Sequence, residues 1–317
     1  MNKRQLGQSD LEVYPITFGG NVFGWTIDEQ TSFGILDGFT DAGFNFIDTA
    51  DSYSHWAPGN KGGESETIIG NWMEQRKNRQ QMIIATKVGS IPGSTKKSLA
   101  KDHLIKSVEG SLKRLKTDYI DLYQSHYDDP ETPIEDTLEV YDQLIRAGKV
   151  RWIGASNFSA ARLTAALETA EKLKLPRYQT LQPEYNLYQR EAYEKELEQV
   201  VIDHQLGMMN YYALASGFLT GKYRSEADLN KSQRGGGIKK YLNERGFKIL
   251  KALDQVSEQY NANQASIALA WLIAKPSVTA PIASVTDLTQ LDELVKAASL
   301  KLNTEDIAIL DEASDWQ

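Results

Sequence analysis

Short apolar runs alternate with longer amphipathic stretches from one end of the chain to the other. In the stretch 134–147 the apolar residues stand at 134, 138, 141, 144 and 145, which is the spacing of a helical stripe. Leu104–Leu115 is amphipathic in the same way. The short apolar runs between such stretches are typical of buried parallel strands. We predict strands at Ile16–Gly20, Asn45–Asp48, Met82–Lys87, Tyr119–His126, Val150–Ser156, Tyr178–Gln182, Met208–Tyr212 and Val278–Ile282.

Strands that alternate with helices throughout predict an α/β fold with a parallel sheet. No segment is rich enough in Pro, Gly or Ser to mark a domain boundary, so we expect a single domain over residues 1–317. The repeat favours a (β/α)8 TIM barrel in which each strand is followed by a helix, while an open doubly wound sheet would give the same local pattern. The segment Arg4–Val13 predicts a short N-terminal β-hairpin that turns at residues 7–10.

Several residues mark where the predicted helices begin and end. Asp102 and Ser159 are suited to cap the first turns of two helices, because their side-chain oxygens can accept backbone hydrogen bonds. Gly43 and Gly148 stand where helix ends need a residue that tolerates positive φ. We therefore expect helix starts at the first pair and helix ends at the second.

Composition narrows the class of protein. The chain has 317 residues, no cysteine and a formal net charge of -8. Disulfides and thiolate chemistry are thereby excluded, and a general nucleic-acid binder, which needs a basic face, is not expected. No segment approaches the roughly 20 apolar residues that span a bilayer, so we expect no membrane segment and a cytoplasmic protein. No pattern predicts an oligomeric state.

Two long polar loops follow predicted strands. Tyr53–Gly63 comes after the second strand and Gly221–Lys240 after the seventh. Both would lie at the carboxyl ends of the strands, the face of a barrel where active sites are built. We therefore expect both loops to border a functional site.

Four polar side chains fall at or just beyond the ends of neighbouring strands. Asp48, Lys87 and His126 close the second, third and fourth strands, and Tyr53 follows Asp48 closely. A tyrosine with its usual pKa near 10 is a poor proton donor in both directions at neutral pH, and we expect the ammonium of Lys87 to lower this pKa. Asp48 would be the counter-ion of Lys87, and His126 would orient a carbonyl oxygen. The set suits proton delivery to an oxygen that gains negative charge.

Several ordered motifs resemble those of the aldo-keto reductases, closest to the bacterial and potassium-channel-β-like branch. They are Phe46–Tyr53, Ala85–Lys87, Tyr123–His126, Gly154–Phe158, Gln182–Asn186, Phe218–Tyr223 and Ala268–Leu272. The resemblance implies NAD(P)H-dependent reduction of aldehydes or ketones, with Tyr53 as general acid helped by Asp48, Lys87 and His126.

The resemblance also implies a set of cofactor contacts. Ser156, Asn157 and Gln182 would hold the nicotinamide carboxamide, and Tyr211 would stack on the ring. The pyrophosphate would lie near Leu214, Ser216, Gly217 and Leu219, and the adenosine end near Ser284, Gln290 and Glu293. Gly217 would allow the backbone to approach the ligand closely.

The segment expected to bind the 2′-phosphate of NADP departs from the family pattern. It has no Lys or Arg between Lys275 and Lys296, although a guanidinium or ammonium is the natural partner of a phosphate dianion. Arg234, Lys239 or Lys240 on the second long loop could supply the charge. We expect NADP(H), with NAD(H) as the alternative and no metal.

Aromatic residues flank the predicted site. Trp25, Trp56 and Tyr127 could wall it, and such surfaces pack equally well against apolar aldehydes, ketones and sugar faces. The loop Ser54–Gly63 is the best candidate for substrate choice.

Three other functions compete. Lys87 could form a Schiff base, as in barrel lyases. A regulatory module that senses nicotinamide redox state, like the channel β subunits, would keep the same pocket. A metal hydrolase around residues 126–129 is weaker, because no two histidines have ligand spacing and Asp128 and Asp129 more naturally begin a turn.

Overall fold

The chain begins with a small antiparallel hairpin in the computed structural model, which describes residues 2–317. Its strands are β1 (Arg4–Gln5) and β2 (Glu12–Val13), in agreement with the predicted hairpin. The apolar side chains Leu6 and Leu11 are buried against residues of the barrel strands. The hairpin therefore covers one end of the barrel with apolar surface.

Eight parallel strands form a single sheet in which the last strand pairs with the first barrel strand, as a TIM barrel requires. The strands are β3 (Thr17–Gly19), β4 (Phe46–Asp48), β5 (Ile83–Val88), β6 (Ile120–Ser125), β7 (Val150–Ser156), β8 (Thr180–Gln182), β9 (Gly207–Met208) and β10 (Ile282–Ala283). The (β/α)8 prediction is confirmed, and the open doubly wound alternative is wrong.

The seventh and eighth strands differ from their predicted ranges. Only Met208 of the predicted strand 208–212 lies in a strand, at the end of β9, and Tyr211 makes only an isolated bridge to Glu184. The predicted strand 278–282 is replaced by β10, which begins at its last residue. Backbone bonds close the barrel here, from Thr279 N to Met208 O at 2.8 Å and from Ile282 N to Asn210 O at 2.9 Å.

Over residues 2–317, ten α-helices surround or flank the strands. They are α1 (Glu29–Asp41), α2 (Glu64–Arg76), α3 (Lys101–Leu115), α4 (Ile134–Arg146), α5 (Ala160–Leu173), α6 (Glu198–Asp203), α7 (Glu244–Tyr260), α8 (Gln264–Ala274), α9 (Leu288–Ser299) and α10 (Thr304–Ala313). A π-helical turn, Tyr193–Leu197, leads into α6. Two helices, α7 and α8, separate the last two strands, so the pattern of one helix after each strand is not kept throughout.

The predicted helix ends are confirmed with one exception. The Ser159 hydroxyl accepts a hydrogen bond from Arg162 N and caps α5, while Gly43 and Gly148 have φ of 91° and 73°. The prediction for Asp102 is wrong, because α3 begins at Lys101 and has Ala100 at its N-cap, two residues before Asp102. Asp102 lies instead in the first turn, where a carboxylate interacts favourably with the helix dipole.

The two long loops differ in structure. Gly221–Lys240 contains short 3-10 turns at Glu226–Lys231 and Gly235–Gly237, and a third begins at Lys239. The loop that starts at Tyr53 is held by Asn60, whose amide donates to Gly24 O at 2.8 Å and to Ser54 O at 3.0 Å. Within residues 2–317 no helix is long and apolar enough to cross a bilayer.

Close packing of α2 on α3 gives a test of the fold. A Cβ added at Gly70 would lie 2.1 Å from Arg114 O and 2.8 Å from Leu115 C, so the backbones would have to separate. We expect Gly70→Ala to lower the free energy of unfolding by about 2–4 kcal/mol in urea titrations.

The matched control is Gly34→Ala in α1. Gly34 is exposed and has no atom within 4 Å of an added Cβ, so helix propensity should leave that variant equal to wild type or more stable. Equal stability of the two variants would contradict the proposed close approach of α2 and α3.

Candidate active site

The inner face of the barrel changes from apolar to polar toward the carboxyl ends of the strands. Side chains two residues apart on a strand share a face, so Phe46 and Asp48 of β4 both point inward. The same holds for Leu122 and Gln124 of β6. The lower layer packs against the hairpin, whereas the upper layer is polar. Alternation along the strands therefore collects the chemistry at one end of the barrel.

Lys87 lies at the centre of this polar layer. Its Nζ is 2.7 Å from Asp48 Oδ2, 2.7 Å from the Thr49 carbonyl oxygen and 2.7 Å from the Tyr53 hydroxyl. The Lys87 side chain is 0% exposed and that of Asp48 is 1% exposed, so water does not screen the pair. The structure therefore brings together three of the four predicted catalytic side chains.

The pKa values of Lys87 and Tyr53 reflect burial opposed by charge. Burial alone would lower the pKa of Lys87, but Asp48 and Tyr53 outweigh it and raise that pKa, which keeps the ammonium charged. Burial raises the pKa of Tyr53, and Lys87 only partly opposes this effect. The expected net lowering of the Tyr53 pKa is therefore wrong, since the loss of hydration on burial raises this pKa more than the charge of Lys87 lowers it. Tyr53 is a neutral phenol at neutral pH.

His126 lies immediately beyond β6, where its backbone N–H still bonds to the Val88 carbonyl at 2.8 Å. Its ring is 5.9 Å from the ring of Tyr53 and is stacked on Tyr127 at 4.8 Å with an interplanar angle of 22°. Burial, with the charges of Lys87 and Lys97, holds the pKa of His126 well below its usual value. His126 is therefore a neutral imidazole beside the lysine and the tyrosine.

A cleft of about 930 Å³ opens above these side chains at the carboxyl end of the barrel. Three of the four predicted catalytic residues, Asp48, Tyr53 and His126, line it. So do most of the predicted cofactor residues: Ser156, Asn157, Gln182, Tyr211, Leu214, Ser216, Gly217, Ser284, Gln290 and Glu293. Leu219 does not line it and lies fully buried in the hydrophobic core.

The aromatic residues predicted to wall the site differ in position. Trp56 and Tyr127 line the cleft, whereas Trp25 does not. Trp25 packs edge-on against Trp56 at 5.5 Å between ring centroids, and the Arg234 guanidinium lies 5.3 Å from a Trp25 ring centroid. Trp25 thus supports a wall residue and a loop cation from behind the cleft surface.

Hydrogen bonds fix the amide and hydroxyl groups on one side of the cleft. The Asn157 amide donates to His126 O at 2.9 Å and to Ser156 Oγ at 3.1 Å, and its oxygen accepts from the Tyr211 hydroxyl at 2.8 Å. Ser156 Oγ donates to Gln182 O at 2.8 Å. Asn157 has φ of 57°, a left-handed conformation that Asn tolerates better than most residues. These hydrogen bonds fix the orientations of the Ser156, Asn157 and Tyr211 side chains.

The segment that follows Tyr211 has an unusual backbone. Tyr212, Ala215 and Ser216 have φ of 53°, 47° and 58°, and Gly217 has φ of 99°. The segment closes on itself through two backbone hydrogen bonds, from Ala215 N to Tyr212 O at 2.7 Å and from Gly217 N to Leu214 O at 2.8 Å. At Gly217 the positive φ favours glycine. Lack of space does not, because the nearest atoms to an added Cβ would be 3.9 Å away.

The far end of the cleft is polar and contains few cations. The Gln290 side chain bonds to Thr286 and Asp287, and Asp287 caps α9 by accepting from Gln290 N at 2.8 Å. Glu293 accepts from Ser266 Oγ at 2.6 Å. Asp287 is thus occupied as a helix cap.

Of the three loop cations considered for a phosphate, only Arg234 lines the cleft. Its Nη2 is buried without a hydrogen-bond partner among residues 2–317. Lys239 pairs instead with Glu226 at 3.0 Å, and the Lys240 ammonium lies over the Tyr241 ring. Lys222 also lines the cleft and was not singled out from the sequence.

Sequence reasoning also missed Gln124, whose amide donates to Asp48 Oδ1 at 3.0 Å. Its place two residues beyond the inward-facing Leu122 could have identified it, since period-two alternation points it inward. Asn21, which accepts from Ser284 Oγ at 2.7 Å, carried no comparable pattern because it lies in a 3-10 turn.

Contacts at residues 128 and 129 argue against the metal-hydrolase alternative. Asp129 accepts from Leu99 N at 2.8 Å and Glu131 N at 3.1 Å, and Asp128 pairs with Arg162 at 2.8 Å. Both carboxylates therefore hold a turn, as expected. Within residues 2–317 no three His, Cys, Asp or Glu side chains are grouped as metal ligands would be.

A barrel with a charged lysine, a neutral tyrosine and pre-oriented amides at its mouth defines an enzyme-like cleft of the reductase type. Comparison with known proteins agrees, because the model of the aldo/keto reductase family matches residues 15–315. The chain belongs to the aldo/keto reductase family, a family of oxidoreductases that use nicotinamide cofactors.

Relatives cover nearly the whole chain. It is 35% identical to "Uncharacterized oxidoreductase YrpG" of Bacillus subtilis, over 98% of this chain and 95% of that protein. It is 33% identical to "Aldo-keto reductase YhdN" of the same organism, over 91% and 84%. It is 32% identical to "Probable voltage-gated potassium channel subunit beta" of Arabidopsis thaliana, over 95% and 92%.

A second acid, the half-buried Asp51, follows Asp48 along the chain. Burial, with the nearby charge of Glu66, raises the pKa of Asp51 to about 8, and Asp51 Oδ1 has no hydrogen-bond partner among residues 2–317. Because the folded-state pKa exceeds the ordinary value near 4, folding favours the protonated form, and its contribution to stability is lost as pH rises toward 8.

We expect Asp51→Asn to remove this pH dependence. The free energy of unfolding of Asp51→Asn minus that of wild type should increase by at least about 2 kcal/mol from pH 5 to pH 8.5, measured by urea titration. Asp292→Asn, at an exposed position, is the control for the substitution itself. Parallel pH dependences for wild type and Asp51→Asn would show that Asp51 does not titrate in this way.

Proposed function

We propose that this protein is an NADP(H)-dependent carbonyl reductase that converts aldehydes or ketones to alcohols, with Tyr53 as the proton donor. The observation that carries the proposal is the Lys87 ammonium, held at 2.7 Å from both Asp48 and the Tyr53 hydroxyl at the floor of the cleft. That arrangement suits a phenol that must give up a proton and then regain it.

A nicotinamide cofactor, when bound, would supply the hydride that the carbonyl carbon accepts. Tyr53 would give its proton to the carbonyl oxygen as that oxygen becomes negative. The raised pKa keeps the proton on Tyr53 until then, and Lys87 stabilises the phenolate that remains. Asp48 balances the charge of Lys87, so the site keeps its ammonium throughout.

Neutral His126 would donate a hydrogen bond to the same carbonyl oxygen and orient it toward Tyr53. The imidazole ring lies 5.9 Å from the tyrosine ring, and stacking on Tyr127 restricts its plane. Trp56 and Tyr127 would contact the rest of the substrate. Their apolar faces suit an aldehyde, a ketone or a sugar.

The cleft fits a dinucleotide in three respects. Ser156, Asn157 and Gln182 present oriented polar groups for the carboxamide, and Tyr211 would pack against the ring. The turn at Ser216 and Gly217, which lines the cleft beside Leu214, would approach the pyrophosphate. Ser284, Gln290 and Glu293 lie at the other end of the same cleft, where the adenosine would bind.

The hydrogen bonds of Lys87 disfavour the Schiff-base alternative. Its Nζ already donates to Asp48, Thr49 O and Tyr53, and its pKa is raised, so the neutral amine needed for attack on a carbonyl is scarce. A phenol hydrogen-bonded to that ammonium serves proton transfer instead.

Tyr53→Phe tests the reaction. We expect it to lower kcat for NADPH-dependent reduction across a panel of aldehydes and ketones by at least about 100-fold, because the acid is lost while the cleft keeps its shape. The dissociation constant of NADPH should change less than about threefold, since the hydroxyl is not among the proposed cofactor contacts.

The same assay separates catalysis from the alternative of a redox-sensing regulatory module. One relative is named as a probable potassium channel subunit. Wild type should pass through many turnovers per active site. Tight cofactor binding with a single turnover, for wild type as for Tyr53→Phe, would instead favour a sensor that docks a partner.

Arg234→Gln tests cofactor choice. Arg234 lines the cleft and its Nη2 is buried without a partner among residues 2–317. If Arg234 binds the 2′-phosphate, the substitution should weaken NADPH binding about tenfold and NADH binding less than about twofold, measured by fluorescence titration. Lys239→Gln, on the same loop but outside the cleft, is the control. A wild-type preference for NADH, or equal losses for both cofactors, would overturn the assignment.

A further inference from the structure

A pair of buried glutamine amides surrounds the second oxygen of Asp48. Gln124 Nε2 and Gln182 Nε2 each donate to Asp48 Oδ1 at 3.0 Å, while Lys87 binds the other oxygen, Oδ2. Gln182 Nε2 also donates to Gln124 Oε1 at 3.3 Å. Gln124 is 0% and Gln182 2% exposed, so these bonds form in a water-poor site.

These contacts determine which atom of Gln182 faces the cleft. Both N–H groups of its amide are engaged, one by Asp48 and one by Gln124 Oε1. The oxygen Oε1 is the polar atom left for a ligand, and it can only accept hydrogen bonds. Rotation of the amide would place Oε1 against the Asp48 carboxylate and the Gln124 oxygen, which is unfavourable.

Gln124 itself does not line the cleft. It lies on β6, opposite Lys87 of β5 and Gly154 of β7 in the strand register. A Cβ at Gly154 would lie 3.1 Å from Gln124 Cγ, so the absence of a side chain there gives Gln124 room to reach Asp48. The barrel therefore accommodates a buried amide at this position, although an apolar side chain would not carry the cost of desolvating a polar group.

We propose that Gln124 is a positioning residue that fixes the amide of Gln182 as a hydrogen-bond acceptor for the nicotinamide carboxamide and ties it to the Asp48–Lys87 pair. The inference rests on the proposed function, because it requires a nicotinamide beside Gln182. Gln124 acts through its neighbours and needs no contact with either cofactor or substrate.

The first test uses Gln124→Met, which keeps the length of the side chain and removes its donor and acceptor. It should weaken the binding of NADP⁺ about five- to tenfold, as measured by the quenching of tryptophan fluorescence. Binding of 2′-phospho-ADP-ribose, which lacks the nicotinamide, should not change. The comparison isolates the carboxamide end of the cleft from the rest of the ligand.

Gln124→Glu gives a readout that a merely structural residue would not produce. A protonated glutamic acid offers one donor and one acceptor, the same pattern that Gln124 uses, and the adjacent Asp48 carboxylate favours the protonated form. This variant should bind NADP⁺ like wild type at pH 5.5 and at least fivefold more weakly at pH 8.5. The ratio of the NADP⁺ dissociation constants of Gln124→Met and wild type should be the same at both pH values.

The matched control is Thr180→Val on β8. Thr180 is fully buried and flanks the same glycine as Gln124, but its hydroxyl has no hydrogen-bond partner among residues 2–317. It should bind both ligands like wild type. If wild type binds no nicotinamide dinucleotide, the proposed function fails. If wild type binds NADP⁺ and both Gln124 variants bind it equally well at both pH values, the inference about Gln124 fails.

Discussion

An ammonium buried without water must have an anion beside it, and this requirement organises the upper end of the barrel. Lys87 is fully buried and has the Asp48 carboxylate at 2.7 Å. An unpaired charge in this position would cost several kcal/mol, so neither residue can be removed without leaving its partner uncompensated. Tyr53 completes the arrangement, because its hydroxyl is the one exchangeable group that the ammonium also contacts.

The barrel supplies the conditions for that pair. Apolar side chains fill the lower layer and the hairpin covers its end, so the strands are held rigidly beneath the polar layer. The Cα register sets Lys87 beside Gln124, and the staggering of the strands brings Asp48 and Gln182 to the same level. Hydrogen bonds across four strands then leave little freedom for any of these side chains.

Local sequence patterns suffice to place most of the barrel strands and the polar residues at their ends. Strand positions followed from apolar runs because buried parallel strands carry a strong local pattern, and the four catalytic candidates fall together because strand ends share one face. β9 and β10 were misplaced because only two residues of each keep strand geometry, and the flanking apolar residues pack without a ladder. Trp25 was expected to wall the cleft and Leu219 to lie near the pyrophosphate, and neither of them lines the cleft, because Trp25 packs behind Trp56 and Leu219 is in the hydrophobic core.

The sequence by itself determined the repeating fold and the identity of the polar residues at the strand ends, because apolar periodicity and strand order are set by neighbouring residues. Its ordered motifs also carried the resemblance that identified the family. Only the tertiary structure decided the direction of the Tyr53 pKa, the engagement of Gln124 with Asp48 and the position of Arg234, unlike Lys239 and Lys240, at the cleft. Burial and hydrogen bonding sum contributions from residues far apart in the chain, so no local pattern contains them.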